Sequence, residues 1–278
     1  MKEFNIFLVN HNLSKNTIES YLYTINNFFS IFSEISKSNL LEYKDFLINK
    51  YKPKTVNLRI QALNKYLEFI SRNDLHLSTI KFQQATFLEN VISNSDYEFL
   101  KNQLKQENNL KWYFIVRFLG ATGARVSELV QFKIEHINVG HIDIYSKGGK
   151  IRRIYIPKNL LIETRNWIKT FKHISGYLFI NSRGNPISTR GIAHQLRDLA
   201  IKYNMNVNVV HPHSFRHLFA KNFLDKYNDL ALLSDLLGHE SIETTRIYLR
   251  RTSTEQKIIV DKYVTWWLFL FFYESKFS

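Results

Sequence analysis

The first 119 residues of the chain contain no glycine, although the whole sequence of 278 residues contains nine. Tight hairpins between strands usually need glycine, so this absence favours helices joined by short connections. Ser14 and Pro53 suit helix starts. Apolar residues after Ser14 recur at helical steps of three and four, at Ile18, Tyr21, Leu22, Ile25, Phe28, Phe29 and Phe32. We therefore predict a small helical domain over residues 1–82 without catalytic groups of its own.

The periodicity weakens after residue 82, and we predict a linker over residues 83–92 and a second domain over residues 93–278. Within it, residues 137–157 alternate apolar and polar side chains around Lys147-Gly148-Gly149. This pattern predicts a β-hairpin with a basic tip. We expect a turn at residues 120–123, a short strand at 178–181 and helices elsewhere. The predicted fold class is mostly α with a small antiparallel sheet (α+β).

The net charge of +14 and the pI of about 9.7 predict a polyanionic partner such as nucleic acid. The chain has no cysteine, which excludes disulfides, thiolate metal sites and a cysteine nucleophile. No signal peptide is evident, and we expect a cytoplasmic protein that does not engage a membrane. The apolar run Trp266–Tyr273 is too short to span a bilayer, which needs about 20 residues. We expect this run to pack on a protein surface.

Six side chains have the chemistry that transesterification of a phosphodiester demands. Two arginines can clamp the phosphate oxygens, a tyrosine can attack, and histidine or lysine can move protons. Spacing supports a shared site, because His213 and Arg216 lie three residues apart on one helix face. At the hairpin tip, Lys150, Arg152 and Arg153 are rivals for the role of Lys147. The candidates are Arg125, Lys147, His213, Arg216, His239 and Tyr248.

Four stretches together resemble the tyrosine recombinase (lambda integrase, or phage integrase) family, close to its Xer and small transposon-encoded members. They occur in the family's order, and the interval from His239 to Tyr248 is the family's usual one. Phe215 departs from the pattern, since leucine is usual there. The matching stretches are Ala121-Thr-Gly-Ala-Arg-Val-Ser-Glu-Leu129, Ser146-Lys-Gly-Gly-Lys150, Pro212-His-Ser-Phe-Arg-His217 and Leu237-Gly-His-Glu-Ser-Ile-Glu-Thr-Thr-Arg-Ile-Tyr248.

The resemblance implies a role for each candidate. Arg125 and Arg216 would hold the scissile phosphate, and His239 would add a hydrogen bond to it. Glu128 would support the geometry of the site.

The same resemblance implies the proton transfers and the covalent step. Tyr248 would attack and form a 3′-phosphotyrosine, His213 would assist proton transfer with the tyrosine, and Lys147 would protonate the leaving 5′ oxygen. The other histidines of this stretch, His211 and His217, match no catalytic position, and we expect them to be structural or to contact DNA phosphates. No metal, ATP or other cofactor is implied.

The resemblance further implies an N-terminal core-binding domain, a catalytic domain, and a C-terminal helix or tail that serves oligomerisation. The partner would be double-stranded DNA with a specific core site, bound by a homotetramer that exchanges strands through a Holliday junction. Accessory proteins are an open expectation. The favoured tasks are resolving dimers or cointegrates, or moving a small mobile element. Two alternatives stay open: a type IB topoisomerase-like relaxer, and a catalytically idle DNA-binding regulator.

Overall fold

The computed structural model describes residues 1–82, 90–145, 151–171, 174–239, 241–249 and 253–264. The chain divides into two compact units, residues 1–84 and residues 85–278. Among the described residues, no helix is both long and apolar enough to cross a membrane. Two features predicted from the sequence, Lys147 at the hairpin tip and the apolar run 266–273, lie outside the described residues.

Over the described residues 1–82, the N-terminal unit is a bundle of four helices followed by a short 3-10 turn at Asn73–Leu75. The serines Ser14 and Ser36 begin α2 and α3, because each side chain accepts a hydrogen bond from a backbone N–H of the first turn. The first helix is not evident in the apolar periodicity of the sequence. The four helices are α1 (Lys2–Asn10), α2 (Lys15–Phe29), α3 (Lys37–Lys50) and α4 (Pro53–Phe69).

Aromatic rings fill the core of this unit. Phe4, Phe28 and Tyr43 are fully buried, and the Tyr43 ring meets Phe28 edge-on at 5.2 Å between centroids. The Tyr43 hydroxyl donates a hydrogen bond of 2.7 Å to Asn27 Oδ1. The buried ring therefore contributes its apolar area without leaving its polar end unpaired.

The described residues of the C-terminal unit form ten helices, one 3-10 turn and two strands. The helices are α5 (Asn94–Gln106), α6 (Leu110–Thr122), α7 (Val126–Leu129), α8 (Ile134–Val139), α9 (Lys158–Ile168), α10 (Thr189–Lys202), α11 (Pro212–Tyr227), α12 (Leu230–Leu237), α13 (Ile242–Arg246) and α14 (Ser253–Tyr263), with a 3-10 turn at Ile247–Leu249 and the strands β1 (His141–Tyr145) and β2 (Ile151–Tyr155).

Helix α6 is the central helix of this unit. Ile115, Phe118 and Leu119 are fully buried, and α5, α9 and α11 pack around it. The helix continues to Thr122 and ends at Gly123, which adopts a left-handed φ of +61°. The turn expected at residues 120–123 is therefore shorter than predicted, because only its last residue leaves the helix.

The hairpin forms as the alternation predicts. Strands β1 and β2 pair antiparallel, and Ile144 lies opposite Arg152. Ile142, Ile154 and Arg152 are buried. The strand expected at residues 178–181 is wrong as a strand: the structure forms only isolated bridges there, Lys133 to Tyr177 and Ile180 to Pro186. These elements confirm the predicted fold class.

Candidate active site

Helix α11 places Arg216 in the interior of the C-terminal unit. The side chain is 2% exposed. Its Nη1 donates to the Gly123 carbonyl at 2.7 Å, and its Nη2 donates to the Leu237 carbonyl at 2.6 Å. Nη2 also lies 2.9 Å from His239 Nε2. One guanidinium therefore joins the end of α6, the end of α12 and the predicted site histidine.

Arg125 reaches the same place from the start of α7. It follows the left-handed Gly123, where a Cβ would lie 2.5 Å from the Phe219 ring. Glycine is required there both by the backbone angle and by this contact. Arg125 Nη2 donates to the Gly238 carbonyl at 3.3 Å, so both predicted arginines meet the C-terminal end of α12.

Glu128 holds the turn at Arg125 through hydrogen bonds to its backbone and its side chain. Its carboxylate accepts hydrogen bonds from the Arg125 backbone N–H at 2.7 Å and from Arg125 Nη1 at 2.9 Å. It also accepts two bonds from Arg152 Nη1, at 2.6 and 2.7 Å. Burial raises the pKa of Glu128, but the Arg152 charge and the hydrogen bonds outweigh burial, so the pKa lies below its usual value.

Arg152 is the residue that our sequence interpretation undervalued. It is 8% exposed, and its Nε donates to the Leu236 carbonyl at 2.8 Å. Its Nη2 is buried and has no hydrogen-bond partner among the residues that the structure describes. A Cβ on Gly238 would lie 2.1 Å from Arg152 Cδ. Arg152 therefore links β2, Glu128 and the end of α12, where the sequence suggested only a rival to Lys147.

His239 and Tyr248, which follow the end of α12 in the chain, lie next to the two arginines. His239 Nδ1 lies 2.7 Å from Thr245 Oγ1, and the His239 and Tyr248 rings are nearly parallel at 5.9 Å between centroids. Tyr248 is 5% exposed, and it lies close enough to Arg216 to act on the pKa of that guanidinium, which it raises. The predicted nucleophile therefore lies against the predicted phosphate clamp.

His213 and its neighbour His217 flank the tyrosine on α11. The His213 side chain is exposed, whereas His217 is buried. The His217 ring lies 4.4 Å from His213 and 5.0 Å from Tyr248, between centroids. His217 thus bridges the predicted proton carrier and the predicted nucleophile, which sequence spacing alone does not reveal.

Burial and mutual repulsion set the charges of the site. Burial, with help from the nearby Arg125, lowers the pKa of Arg216 to about 10, so the guanidinium stays charged at neutral pH. Burial and the Arg216 charge lower the pKa of His239 to about 4. Burial and His213 lower the pKa of His217 to about 3. The site therefore combines permanent cations with neutral imidazoles, an arrangement that can stabilise an anionic transition state.

Of the predicted site residues, five come together around the α12 end: Arg125, His213, Arg216, His239 and Tyr248. The sixth, Lys147, lies outside the described residues. The sequence did not lead us to predict a role for Thr245. Its position three residues before Tyr248 is the one feature of the sequence that points to it. In the described part of the chain, no group of three or more histidine or carboxylate side chains is arranged to hold a metal ion.

Comparison with known proteins matches this region to one family. The model described as "Phage integrase family" matches residues 90–255. The tyrosine recombinase XerA of Pyrococcus horikoshii is 30% identical over 269 residues, which cover 94% of this chain and 92% of the relative. The tyrosine recombinase XerC of Staphylococcus epidermidis is 30% identical over 263 residues, which cover 86% of this chain and 88% of the relative.

Solved structures show the same fold. The XerH recombinase bound to its difH substrate aligns with a TM-score of 0.68 and 21% identity, over 90% of this chain and 80% of that one. A lambda integrase dimer bound to a core site aligns with a TM-score of 0.70 and 14% identity, over 89% of this chain and 75% of that one. The family match and the sequence relatives show that this chain belongs to the phage integrase family, as a Xer-like tyrosine recombinase.

Proposed function

We propose that this chain is a site-specific recombinase that cleaves and rejoins duplex DNA through a 3′-phosphotyrosine on Tyr248. Tyrosine recombinases break and rejoin DNA with a tyrosine nucleophile and need neither metal nor ATP, and membership of that family supports the general reaction. The observation that carries the assignment of residues is the convergence of Arg125, Arg216 and His239 beside Tyr248.

The proposed step exchanges one phosphoester bond for another. The Tyr248 hydroxyl oxygen attacks the scissile phosphorus, a bond between them forms, and the bond to the 5′ oxygen breaks. The tyrosine proton passes to His213, and Lys147 supplies a proton to the departing 5′ oxygen. The reverse attack by a 5′ hydroxyl rejoins the strand, and the covalent bond conserves the energy in between.

The two arginines supply the electrostatic part of the step. Both carry fixed positive charge, and Arg216 is held away from water by burial. Preorganised donors in such an environment stabilise developing charge more strongly than donors in water do. We assign phosphate binding to Arg125 and Arg216, a further hydrogen bond to His239, and support of the Arg125 turn to Glu128.

Duplex DNA is the proposed partner. The net charge of +14 suits a polyanion, and the XerH and lambda integrase structures contain DNA substrates or core sites. We propose residues 1–82 as a helical core-binding domain, residues 83–92 as a linker, and residues 93–278 as the catalytic domain with a C-terminal oligomerisation segment. A homotetramer on two specific sites, a Holliday junction, accessory proteins, resolution of dimers or cointegrates and a cytoplasmic location stay predictions.

Covalent trapping tests the proposal. Nicked duplexes drawn from the DNA that flanks the gene are mixed with the protein, which is then denatured and resolved from free DNA. We expect a protein–DNA adduct that retains a label at the 5′ end of the cleaved strand, because a 3′-phosphotyrosine keeps that fragment on the protein. Tyr248→Phe should bind the same duplex with unchanged affinity and form no adduct.

The outcomes separate the alternatives. Relaxation of any supercoiled plasmid without site dependence would favour the topoisomerase-like enzyme. Tight, footprinted binding without an adduct on any duplex would favour the regulator. An adduct that persists in Tyr248→Phe would show that another residue is the nucleophile.

A further inference from the structure

Thr245 connects the predicted phosphate-binding histidine to the helix that leads to the nucleophile. The side chain is fully buried. It lies on α13, and the 3-10 turn that carries Tyr248 follows directly. Its Oγ1 is 2.7 Å from Nδ1 of His239. One hydrogen bond therefore fixes the imidazole relative to the backbone that positions the tyrosine.

The partners of His239 determine which nitrogen carries its proton. A guanidinium has only donors, so the Arg216 Nη2 that lies 2.9 Å from Nε2 must donate to it. Nε2 is therefore an acceptor. The ring is neutral at pH 7, since burial and Arg216 lower the pKa of His239 to about 4. Its single proton then lies on Nδ1, which donates to Thr245 Oγ1.

This arrangement cannot itself bind a phosphate through His239. A phosphate oxygen only accepts hydrogen bonds, so Nε2 must carry a proton to contact it. In a neutral ring the proton must then leave Nδ1, which becomes an acceptor. A hydroxyl can serve both states, because it accepts from Nδ1–H in one and donates to bare Nδ1 in the other.

We infer that Thr245 is a positioning residue for His239, and that its hydroxyl holds the imidazole in both proton arrangements while the scissile phosphate displaces Arg216 from Nε2. The inference rests on the proposed function, since it concerns the same phosphate. It adds a residue that acts through His239 and does not touch the substrate.

Thr245→Val tests this role, because valine keeps the shape of threonine and removes the hydroxyl. At saturating duplex we expect the rate of adduct formation to fall about tenfold to a hundredfold, the range seen when metal-ligating histidines lose the partner that orients them. The dissociation constant for the duplex should stay within about twofold. Thr245→Ser restores the hydroxyl and should recover the rate to within about threefold of wild type.

The chain offers a matched control in Thr164. This residue is equally buried, and its hydroxyl donates to the Leu160 carbonyl at 2.7 Å on α9. Thr164→Val loses a buried hydroxyl of the same kind outside the site, so its adduct rate should stay within about twofold of wild type. An equal slowing in Thr164→Val and Thr245→Val would overturn the inference, because loss of any buried hydroxyl would then suffice.

A double-mutant cycle with His239→Ala isolates the connection. If Thr245 acts through the imidazole, Thr245→Val should slow wild type but leave the residual rate of His239→Ala unchanged. Equal slowing in both backgrounds would overturn the inference. Absence of any wild-type adduct would instead refute the proposed function, whereas a wild-type adduct with an unimpaired Thr245→Val would refute the role of Thr245 alone.

Discussion

The two units of the chain bury different kinds of side chain. Tyrosines aside, Thr24 is the one buried polar side chain among the described residues of the range 1–84, whereas the described residues of 85–278 include nine. Six of those nine lie in or next to the candidate site: Glu128, Arg152, Ser214, Arg216, His217 and Thr245. Burying charge costs stability unless each group is paired, so the N-terminal unit resembles an ordinary core and the C-terminal unit tolerates the cost where chemistry requires it.

The largest expected effect on stability comes from breaking the buried ion pair. Glu128→Ala leaves Arg152 buried without its carboxylate, and we expect the free energy of unfolding to fall by about 3–5 kcal/mol. All four tryptophans follow residue 84. Urea unfolding followed by tryptophan fluorescence therefore reports on the C-terminal unit alone.

Glu163 provides the control for this substitution. It also pairs with an arginine, Arg117, but its side chain is 42% exposed. Because its partner Arg117 is only 16% exposed, we expect Glu163→Ala to cost about 1–2 kcal/mol, between the values for exposed and buried pairs. Equal costs for the two substitutions would show that burial of the charge is not what distinguishes the site.

A smaller effect should follow from crowding Arg152. Gly238 has a φ of +59°, and a Cβ there would lie 2.1 Å from Arg152 Cδ. We expect Gly238→Ala to cost about 2–4 kcal/mol, which combines backbone strain with displacement of the arginine, and to slow adduct formation. Gly184 has a φ of +79°, and no atom of the described part of the chain lies within 4 Å of its Cβ position. Gly184→Ala should therefore cost only about 1–2 kcal/mol and leave the adduct rate unchanged. Equal costs would argue against the packing of Arg152 on Gly238.

The smallest effect is a dependence on pH. His217 has a pKa of about 3 in the folded chain because of burial and His213, whereas an unfolded histidine titrates near 6.5. Below about pH 6.5 the unfolded chain binds the extra proton, so the stability contributed by neutral His217 is present above that pH and is lost as pH falls toward 3. Its contribution to the slope is about 1.4 kcal/mol per pH unit.

Urea unfolding at pH 7, 6 and 5 measures this slope. His217→Asn cannot take up the proton, so its slope should be smaller than that of wild type by about that amount. An unchanged slope in the variant would contradict the assignment of a buried neutral imidazole at this position.

Helices, their caps and the hairpin could be predicted from the sequence because each depends mainly on residues that are close together in the chain. Helical periodicity and the capping serine Ser14 located α2, and strand alternation located the hairpin. From the motifs we predicted that Arg125, Arg216 and Tyr248 share one site. In the structure these three side chains lie close together.

The features that the sequence did not predict depend on contacts between distant residues. Arg152 and Glu128 lie 24 positions apart and meet only in the folded unit, where the Arg152 side chain of β2 reaches the Glu128 carboxylate of α7. The Thr245 hydroxyl becomes significant only once His239 is in place beside it. Periodicity carries no information on such pairs, since any polar side chain fits the local pattern equally well.

The central claim is that Arg216 is buried for chemistry and not for stability. Its most direct test is to replace Arg216 by methionine and to measure stability and cleavage on the same variant. Burial and the neighbouring arginines lower the pKa of Arg216 from 12.5 to about 10, so its charge disfavours the folded state by about 3 kcal/mol. The lost hydrogen bonds offset part of that gain. We predict an unfolding free energy within about 2 kcal/mol of wild type and an adduct rate lower by at least about a thousandfold. A variant that unfolds far more easily but, when folded, still forms the adduct would show that Arg216 is buried for stability and not for chemistry.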